Sequence, residues 1–181
     1  MRHSLWLILL SSLFLTGCSF FSSDVDETAG WSAQRLYSEA TDNMKKGNYE
    51  KAVKYYQTLE SRYPFGRYAT QAQLNIGYAY YKQNEADAAI AALERFIKLH
   101  PDNEAVPYAY YLKALVSFDA NVGFFARFLP TDNSQRDPGS TLDSFKGFEE
   151  LIELYPDTEY AEDARLRMRY LFNNLARHEI H

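Results

Sequence analysis

The chain has 181 residues, which is room for one compact domain or a short repeat array, and 46% of them are hydrophobic. With 19 Lys and Arg against 24 Asp and Glu, the net charge is −5, and no basic block of the kind that nucleic-acid binding needs is present. The 15 tyrosines, against 8 glycines and 6 prolines, favour packed helices over a β-sandwich with many turns. We therefore expect a folded, helix-rich protein that binds no nucleic acid.

The first elements in the chain are those of a targeting segment. Arg2 gives a basic start, and residues 5–15 form an apolar run that is shorter than the roughly 20 residues a membrane-spanning helix needs. The run ends in Leu-Thr-Gly-Cys at residues 15–18, which resembles the bacterial lipobox. This order predicts a lipoprotein signal peptide over residues 1–17 and a lipid anchor on the thiol of Cys18.

The residues after the cleavage site indicate where the protein is anchored. Ser19 follows the predicted lipidated cysteine. In the lipoproteins that this segment resembles, an Asp at that position would favour retention in the inner membrane, so the resemblance implies the outer membrane, with the protein facing the periplasm. The segment from Phe20 to Gly30 is rich in polar and small residues, which predicts a flexible tether over residues 18–30. Loss of Arg2 with the leader leaves 18 Lys and Arg against 24 Asp and Glu, a net charge of −6.

Three prolines mark an internal repeat. Pro64 and Pro101 are 37 residues apart, and each follows a segment with helical periodicity. Pro156 follows 55 residues later, which equals one period plus an insertion of 18. Small residues recur 13 positions after the first two prolines, at Gly77 and Ala114, where two helices can approach closely.

The periodicity predicts two helices in each repeat. Apolar residues recur on one face of each second helix, as at Ala52, Tyr56 and Leu59 and again at Ala89, Leu93 and Phe96, with Phe148 and Leu151 in the third repeat. The predicted helices run over residues 32–46, 49–62, 68–82, 86–99, 107–118 and 141–155. A proline ends each second helix, because its ring cannot continue the helix.

The third repeat is interrupted by residues 119–140. Loops of this length in compact arrays are uncommon and are often functional. The apolar residues of the segment predict that it packs back onto the array or onto a partner, and both alternatives stay open. The predicted contact residues are Phe124, Phe125, Arg136 and Asp137.

These repeat positions resemble the tetratricopeptide repeat. The expected fold is all-α, a right-handed α-solenoid of helix-turn-helix repeats over residues 31–181, with about three and a half repeats. In such arrays the first helix of each repeat lines a concave groove, and an inward stripe can be counted along each one. The predicted peptide-binding groove consists of Tyr37, Leu74, Tyr78, Tyr81, Tyr108, Tyr111 and Phe118. Tyrosine suits recognition of varied extended peptides, although individual rings can instead fill gaps between helices.

Taken in order, further motifs extend the resemblance to the whole chain. Besides the lipobox they are Tyr-Pro-Phe-Gly at residues 63–66, Ala-Tyr-Tyr-Lys at 79–82, the Phe-Phe and Ser-x-Arg-Asp-Pro motifs of the insertion, and Tyr-Pro-Asp at 155–157. With these motifs the chain resembles the BamD (ComL) family of outer-membrane lipoproteins. The insertion is the most specific part of the match, because ordinary tetratricopeptide proteins lack it.

The resemblance implies a non-enzymatic role in the β-barrel assembly (BAM) complex. It implies that the partners are a BamA-like barrel subunit, other BAM lipoproteins, unfolded outer-membrane protein precursors, and the membrane through the lipid anchor. Members of the family usually have five repeats, and this sequence ends at His181, inside the first helix of a fourth. We therefore expect weak docking to the barrel subunit and an uncovered apolar end formed by Met168, Tyr170, Leu171, Phe172 and Leu175.

A search for catalytic motifs supports binding over catalysis. The sequence has no Gly-rich phosphate loop, no Gly-x-Ser-x-Gly and no His-Glu-x-x-His motif. His178 and His181 share a helical face, but a closed zinc site needs about four ligands, so we expect no metal and no cofactor. Two alternatives remain: a periplasmic tetratricopeptide adaptor for cell-envelope or peptidoglycan enzymes, which would not need the insertion, and a murein hydrolase, which would need a nucleophile or an acid pair.

Overall fold

The structure is a computed structural model that describes residues 26–122 and 138–178. Within these segments it contains seven α-helices and no strand. The helices are α1 (Ala33–Lys45), α2 (Tyr49–Arg62), α3 (Arg67–Lys82), α4 (Ala86–Leu99), α5 (Val106–Val122), α6 (Pro138–Leu154) and α7 (Glu159–His178). None of the helices described is both long and apolar enough to cross a membrane.

Residues 26–30 belong to a unit separate from the helical array, which starts at Trp31. They form a short turn in which the Asp26 carboxylate accepts hydrogen bonds from both the backbone N–H and the hydroxyl of Thr28, at 3.0 and 2.6 Å. An aspartate that bonds the backbone two residues ahead is a common way to stabilise a turn.

The turn between the two helices of a repeat contains a residue with a positive φ angle. Gly47, between α1 and α2, has φ +78°, and Asn84, 37 residues later between α3 and α4, has φ +60°. Glycine and asparagine are the residues that adopt this left-handed conformation most readily. At the start of the array, the Ser32 side chain caps α1 by accepting a hydrogen bond from the Arg35 N–H, so Ser32 precedes the helix that the sequence predicted to include it.

The helices pack as successive pairs. α1 packs on α2, α3 on α4 and α5 on α6, and each first helix also packs on the second helix of the preceding pair. The first helices α1, α3, α5 and α7 also contact one another in sequence, whereas the second helices make no comparable contacts in the described segments. The first helices therefore form the inner layer of the array. The predicted all-α helical-repeat fold is confirmed.

The hydrophobic core contains the apolar residues that the periodicity had placed together on one face of each second helix. Their side chains are essentially inaccessible to solvent: Ala52, Tyr56, Leu59, Ala89, Leu93, Phe96, Phe148 and Leu151. Burying a large apolar side chain contributes about 1.5–3 kcal/mol, so these rows account for a large part of the stability of each pair. The prediction that these apolar residues share one face of each second helix is confirmed.

Two close approaches between helices depend on small residues. A Cβ added at Gly77 on α3 would lie 2.8 Å from the Cγ and Cδ2 atoms of Leu93 on α4. A Cβ added at Gly147 on α6 would lie 3.0 Å from the Cβ of Ala114 on α5. The prediction that Gly77 and Ala114 mark close helix contacts is therefore confirmed.

The predicted boundaries of the insertion need correction. Helix α5 continues through Val122 instead of ending at residue 118, since no glycine or proline interrupts it before Gly123. Helix α6 begins at Pro138, a first-turn position where the missing N–H of proline costs no helical hydrogen bond. The rest of the predicted insertion, residues 123–137, lies outside the described residues, together with the contact residues predicted there: Phe124, Phe125, Arg136 and Asp137.

Candidate functional site

Tyrosine side chains from three first helices meet on the inner layer. Tyr78 and Tyr81 of α3 have ring centroids 6.3 Å apart, and Tyr160 of α7 lies 5.5 Å from each of Tyr108 and Tyr111 on α5. All five side chains are half-buried, so each packs on its neighbours and still presents part of its ring to solvent. We call this set, Tyr78, Tyr81, Tyr108, Tyr111 and Tyr160, the aromatic face.

Tyr37 belongs to a second tyrosine group nearer the start of the array. Its ring lies 5.2 Å from that of Tyr68 on α3 and 5.8 Å from that of Tyr56 on α2. The Tyr56 hydroxyl is within hydrogen-bond distance of the Thr41 hydroxyl, at 3.0 Å, and accepts a hydrogen bond from the Asn75 amide at 2.9 Å. Burial raises the pKa of Tyr56. Tyr37 therefore packs in the first two repeats, apart from the aromatic face.

Two tyrosine hydroxyls of the aromatic face donate hydrogen bonds to acidic side chains. The Tyr81 hydroxyl donates a hydrogen bond to the Asp119 carboxylate, which links α3 to α5. The Tyr111 hydroxyl donates to Asp163 across 2.7 Å, which links α5 to α7, and Arg167 Nε also donates to Asp163. Since these hydrogen bonds connect successive first helices, they fix the spacing of the inner layer.

Burial and this pairing set the ionisation of the site. Burial, with smaller effects from neighbouring tyrosines, raises the pKa of Tyr108 to about 12. Burial and the hydrogen bond to Asp119 raise the pKa of Tyr81 as well. Burial alone would raise the pKa of Asp163, but the hydrogen bonds from Tyr111 and Arg167 and the charge of the guanidinium lower it overall. At neutral pH Tyr81 and Tyr108 therefore keep their hydroxyl protons and Asp163 is ionised.

Two residues predicted to line the groove belong to the core instead. Leu74 is 4% exposed and packs in the cluster around Leu93 and Phe96 of α4. Phe118 is 8% exposed and packs on Phe148 of α6, with ring centroids 6.0 Å apart. Their assignment to the groove surface is wrong, because counting one stripe along a helix does not separate the groove-facing side from the adjacent side that packs on the second helices.

The end of α7 exposes part of the apolar set expected there. Phe172 is 64% exposed and Tyr170 is also exposed, as the sequence predicted. Leu171 is buried in the cluster that joins α5, α6 and α7, so its place in that set is corrected, and Met168 packs at the edge of the same cluster. The side chain of Leu175 lies outside the described residues.

The sequence reasoning missed four residues of the site. Tyr160 could have been found, since the Tyr-Ala pair at residues 160–161 repeats the pair at 68–69. Asp119, Asp163 and Arg167 gave no signal, since charged residues on helices are usually solvated. In the described segments no three His, Cys, Asp or Glu side chains are grouped as they would be to hold a metal ion. The predicted lipidation site, Cys18, lies outside the described residues.

Solved structures with a similar fold define the class of this protein. The first tetratricopeptide domain of human RPAP3 aligns with a TM-score of 0.55 at 18% identity, covering 81% of this chain and 94% of that domain. The Yersinia enterocolitica type III secretion translocator chaperone SycD aligns with a TM-score of 0.56 at 16% identity, covering 85% of this chain and 98% of that one. The protein is an all-α helical-repeat protein of the tetratricopeptide type.

The chain belongs to the YfiO (BamD) family: the family profile, described as outer membrane lipoprotein, matches residues 30–181. The outer membrane protein assembly factor BamD of Neisseria gonorrhoeae is 43% identical over 157 residues, which cover 87% of this chain and 59% of the relative. BamD of Vibrio cholerae is 36% identical over 174 residues, covering 96% of this chain and 70% of the relative. The chain thus spans about three fifths of the length of its Neisseria relative.

Proposed function

We propose that this protein is a non-enzymatic outer-membrane lipoprotein of the BAM complex that binds unfolded outer-membrane protein precursors and promotes their insertion. The observation that carries the proposal is the aromatic face, a half-exposed surface built by Tyr side chains of α3, α5 and α7. The proposal is supported by the relatives, whose printed name is outer membrane protein assembly factor.

The chemistry of the aromatic face fits an unfolded β-barrel segment. Barrel strands alternate apolar and polar residues and have aromatic girdles at their ends. A tyrosine ring offers a flat apolar surface, has few rotamers to lose on binding, and prefers tilted contacts with other rings that are worth about 0.5–1.5 kcal/mol each. Rings held at 5.5–6.3 Å from one another therefore accept aromatic and aliphatic side chains in several registers, as a receptor for many precursors must.

The remaining parts of the proposal concern location and partners. Diacylglycerol and an amide-linked acyl chain at Cys18 would anchor the protein in the outer membrane facing the periplasm, since stable attachment takes two or more chains. The polar tether up to Gly30 would let the array reach precursors away from the membrane surface. We propose a BamA-like barrel subunit and other BAM lipoproteins as its protein partners, a proposal supported by membership of the YfiO (BamD) family and by relatives named outer membrane protein assembly factor.

Depletion of the protein in its own cells separates this function from the role of a cell-envelope adaptor. We expect folded outer-membrane porins to decline, measured as heat-modifiable bands on gels, while cross-linked peptidoglycan is unchanged at early times. Normal levels of folded porins with altered peptidoglycan would favour the adaptor and overturn the proposal.

A further inference from the structure

Two carboxylates and one guanidinium lie at the edge of the aromatic face, and their charges do not balance. Asp163 is paired with Arg167, which forms both a hydrogen bond and a salt bridge with it. Asp119 is half-buried, and the Tyr81 hydroxyl is its one partner among the residues that the structure describes. Since a carboxylate can accept about four hydrogen bonds, the described residues use only part of the acceptor capacity of Asp119.

Arg167 shows within this protein that a cation can bind between an aromatic ring and a carboxylate. The Arg167 guanidinium lies 5.2 Å from the centroid of the Phe118 ring while it pairs with Asp163. A cation held between an aromatic ring and a carboxylate gains both cation–π attraction and a charge-assisted hydrogen bond. Asp119 and the Tyr81 ring present a second carboxylate beside an aromatic ring, between α5 and α3. Arg167 is near enough for its charge to act on Tyr81, but the ion pair it forms in the described segments is with Asp163.

We propose that Asp119 and the Tyr81 ring form a subsite for a Lys or Arg side chain of the bound segment, so that Asp119 determines specificity. The inference rests on the proposed function, because it assumes that an extended peptide lies on the aromatic face. The site favours segments in which a basic residue stands close to aromatic residues. The hydrogen bond from Tyr81 holds the carboxylate in place next to the ring.

The test compares two fluorescent ten-residue peptides with aromatic residues at alternate positions, identical except that one has Lys where the other has norleucine. The full chain should bind the Lys peptide about tenfold more tightly, as expected for one charge-assisted hydrogen bond. The variant Asp119→Asn, whose amide oxygen can still accept from Tyr81, should bind both peptides equally. Asp102→Asn, in the exposed turn between α4 and α5, removes the same charge away from the aromatic face and should keep the preference.

The outcomes distinguish failure of the subsite alone from failure of the proposed function. Equal binding of both peptides by the unaltered chain overturns the subsite and leaves the proposed function standing, whereas no binding of either peptide overturns both. An equal loss of preference in Asp102→Asn and Asp119→Asn overturns the subsite in favour of long-range charge. If Asp119→Asn does not fold, the test is the salt dependence of binding by the unaltered chain. Raising the salt concentration from about 0.05 to 0.5 M should abolish the higher affinity for the Lys peptide, and an unchanged difference in affinity overturns the subsite.

Discussion

The hydroxyl of Tyr111 on α5 donates a hydrogen bond to Oδ2 of Asp163 on α7, across 2.7 Å. The same carboxylate oxygen accepts from Arg167, so one acidic side chain joins two first helices and orders a ring of the aromatic face. Tilted stacking of Tyr111 on Tyr160 adds a second contact between the same two helices. The inner layer is therefore stabilised by polar pairs as well as by apolar packing.

Removing the hydroxyl of Tyr111 tests this link. Tyr111→Phe keeps the ring but leaves Asp163 with one donor fewer, so the free energy of unfolding should fall by about 1 kcal/mol. The control is Tyr110→Phe, because the Tyr110 hydroxyl has no hydrogen bond in the described segments while its ring packs on Tyr155. Urea unfolding followed by circular dichroism measures both. Equal losses in the two variants would contradict a stabilising hydrogen bond.

Gly77 is predicted to tolerate no larger side chain. In Gly77→Ala the new Cβ meets Leu93, which is fully buried and cannot swing away, so we expect a net loss of about 1–3 kcal/mol despite the better helix propensity of alanine. In the double variant with Leu93→Ala the clash is gone, and the two single losses should add to more than the double loss. Strictly additive losses in urea unfolding would show that the close approach does not limit this position.

The raised pKa of Tyr108 predicts a loss of stability in alkali. The unfolded chain ionises near the ordinary value of 10 while the folded chain keeps the proton up to about 12, so the folded state binds more protons in this window. The stability contributed by the neutral hydroxyl is complete below pH 10 and declines as the pH rises towards 12. Tyr108→Phe lacks this dependence, so its difference in unfolding free energy from the parent should change between pH 9 and 11.5. A constant difference would contradict the shift.

Cys18→Ser tests the lipid anchor. Without the thiol no diacylglycerol can be attached, so the protein should leave the membrane fraction or remain uncleaved with its leader. Fractionation and the mass of the mature N-terminus measure the outcome, and Ser19→Ala is the matched control that should stay membrane-bound. A processed Cys18→Ser protein that remains in the outer membrane would contradict the lipobox.

The helices of the array could be predicted because their signals are local. The 37-residue period, the prolines after each pair and the apolar rows such as Ala89, Leu93 and Phe96 all depend on sequence spacing. The end of α5 and the start of α6 were placed wrongly, since residues 119–122 and 138–140 of the predicted insertion are helical and composition alone does not mark these boundaries.

The candidate site could be predicted only in part. The four tyrosines of α3 and α5 followed from counting along the first helices, but the same count included Leu74 and Phe118, which face the second helices. The pairing of Tyr111 with Asp163 joins residues 52 positions apart. Such a contact depends on how α7 packs against α5, which a pattern within one helix cannot reveal.

The most direct measurement of the central claim is the affinity of a porin C-terminal peptide for variants of the aromatic face. We expect Tyr78→Ala combined with Tyr108→Ala to weaken binding by roughly 5- to 150-fold in fluorescence anisotropy, because two ring contacts worth about 0.5–1.5 kcal/mol each are lost. Tyr49→Ala, at the start of α2, should bind like the unaltered chain, and circular dichroism should show equal helicity in all variants. Folded double variants with undiminished affinity would contradict the account and direct attention to the insertion at Phe124 and Phe125.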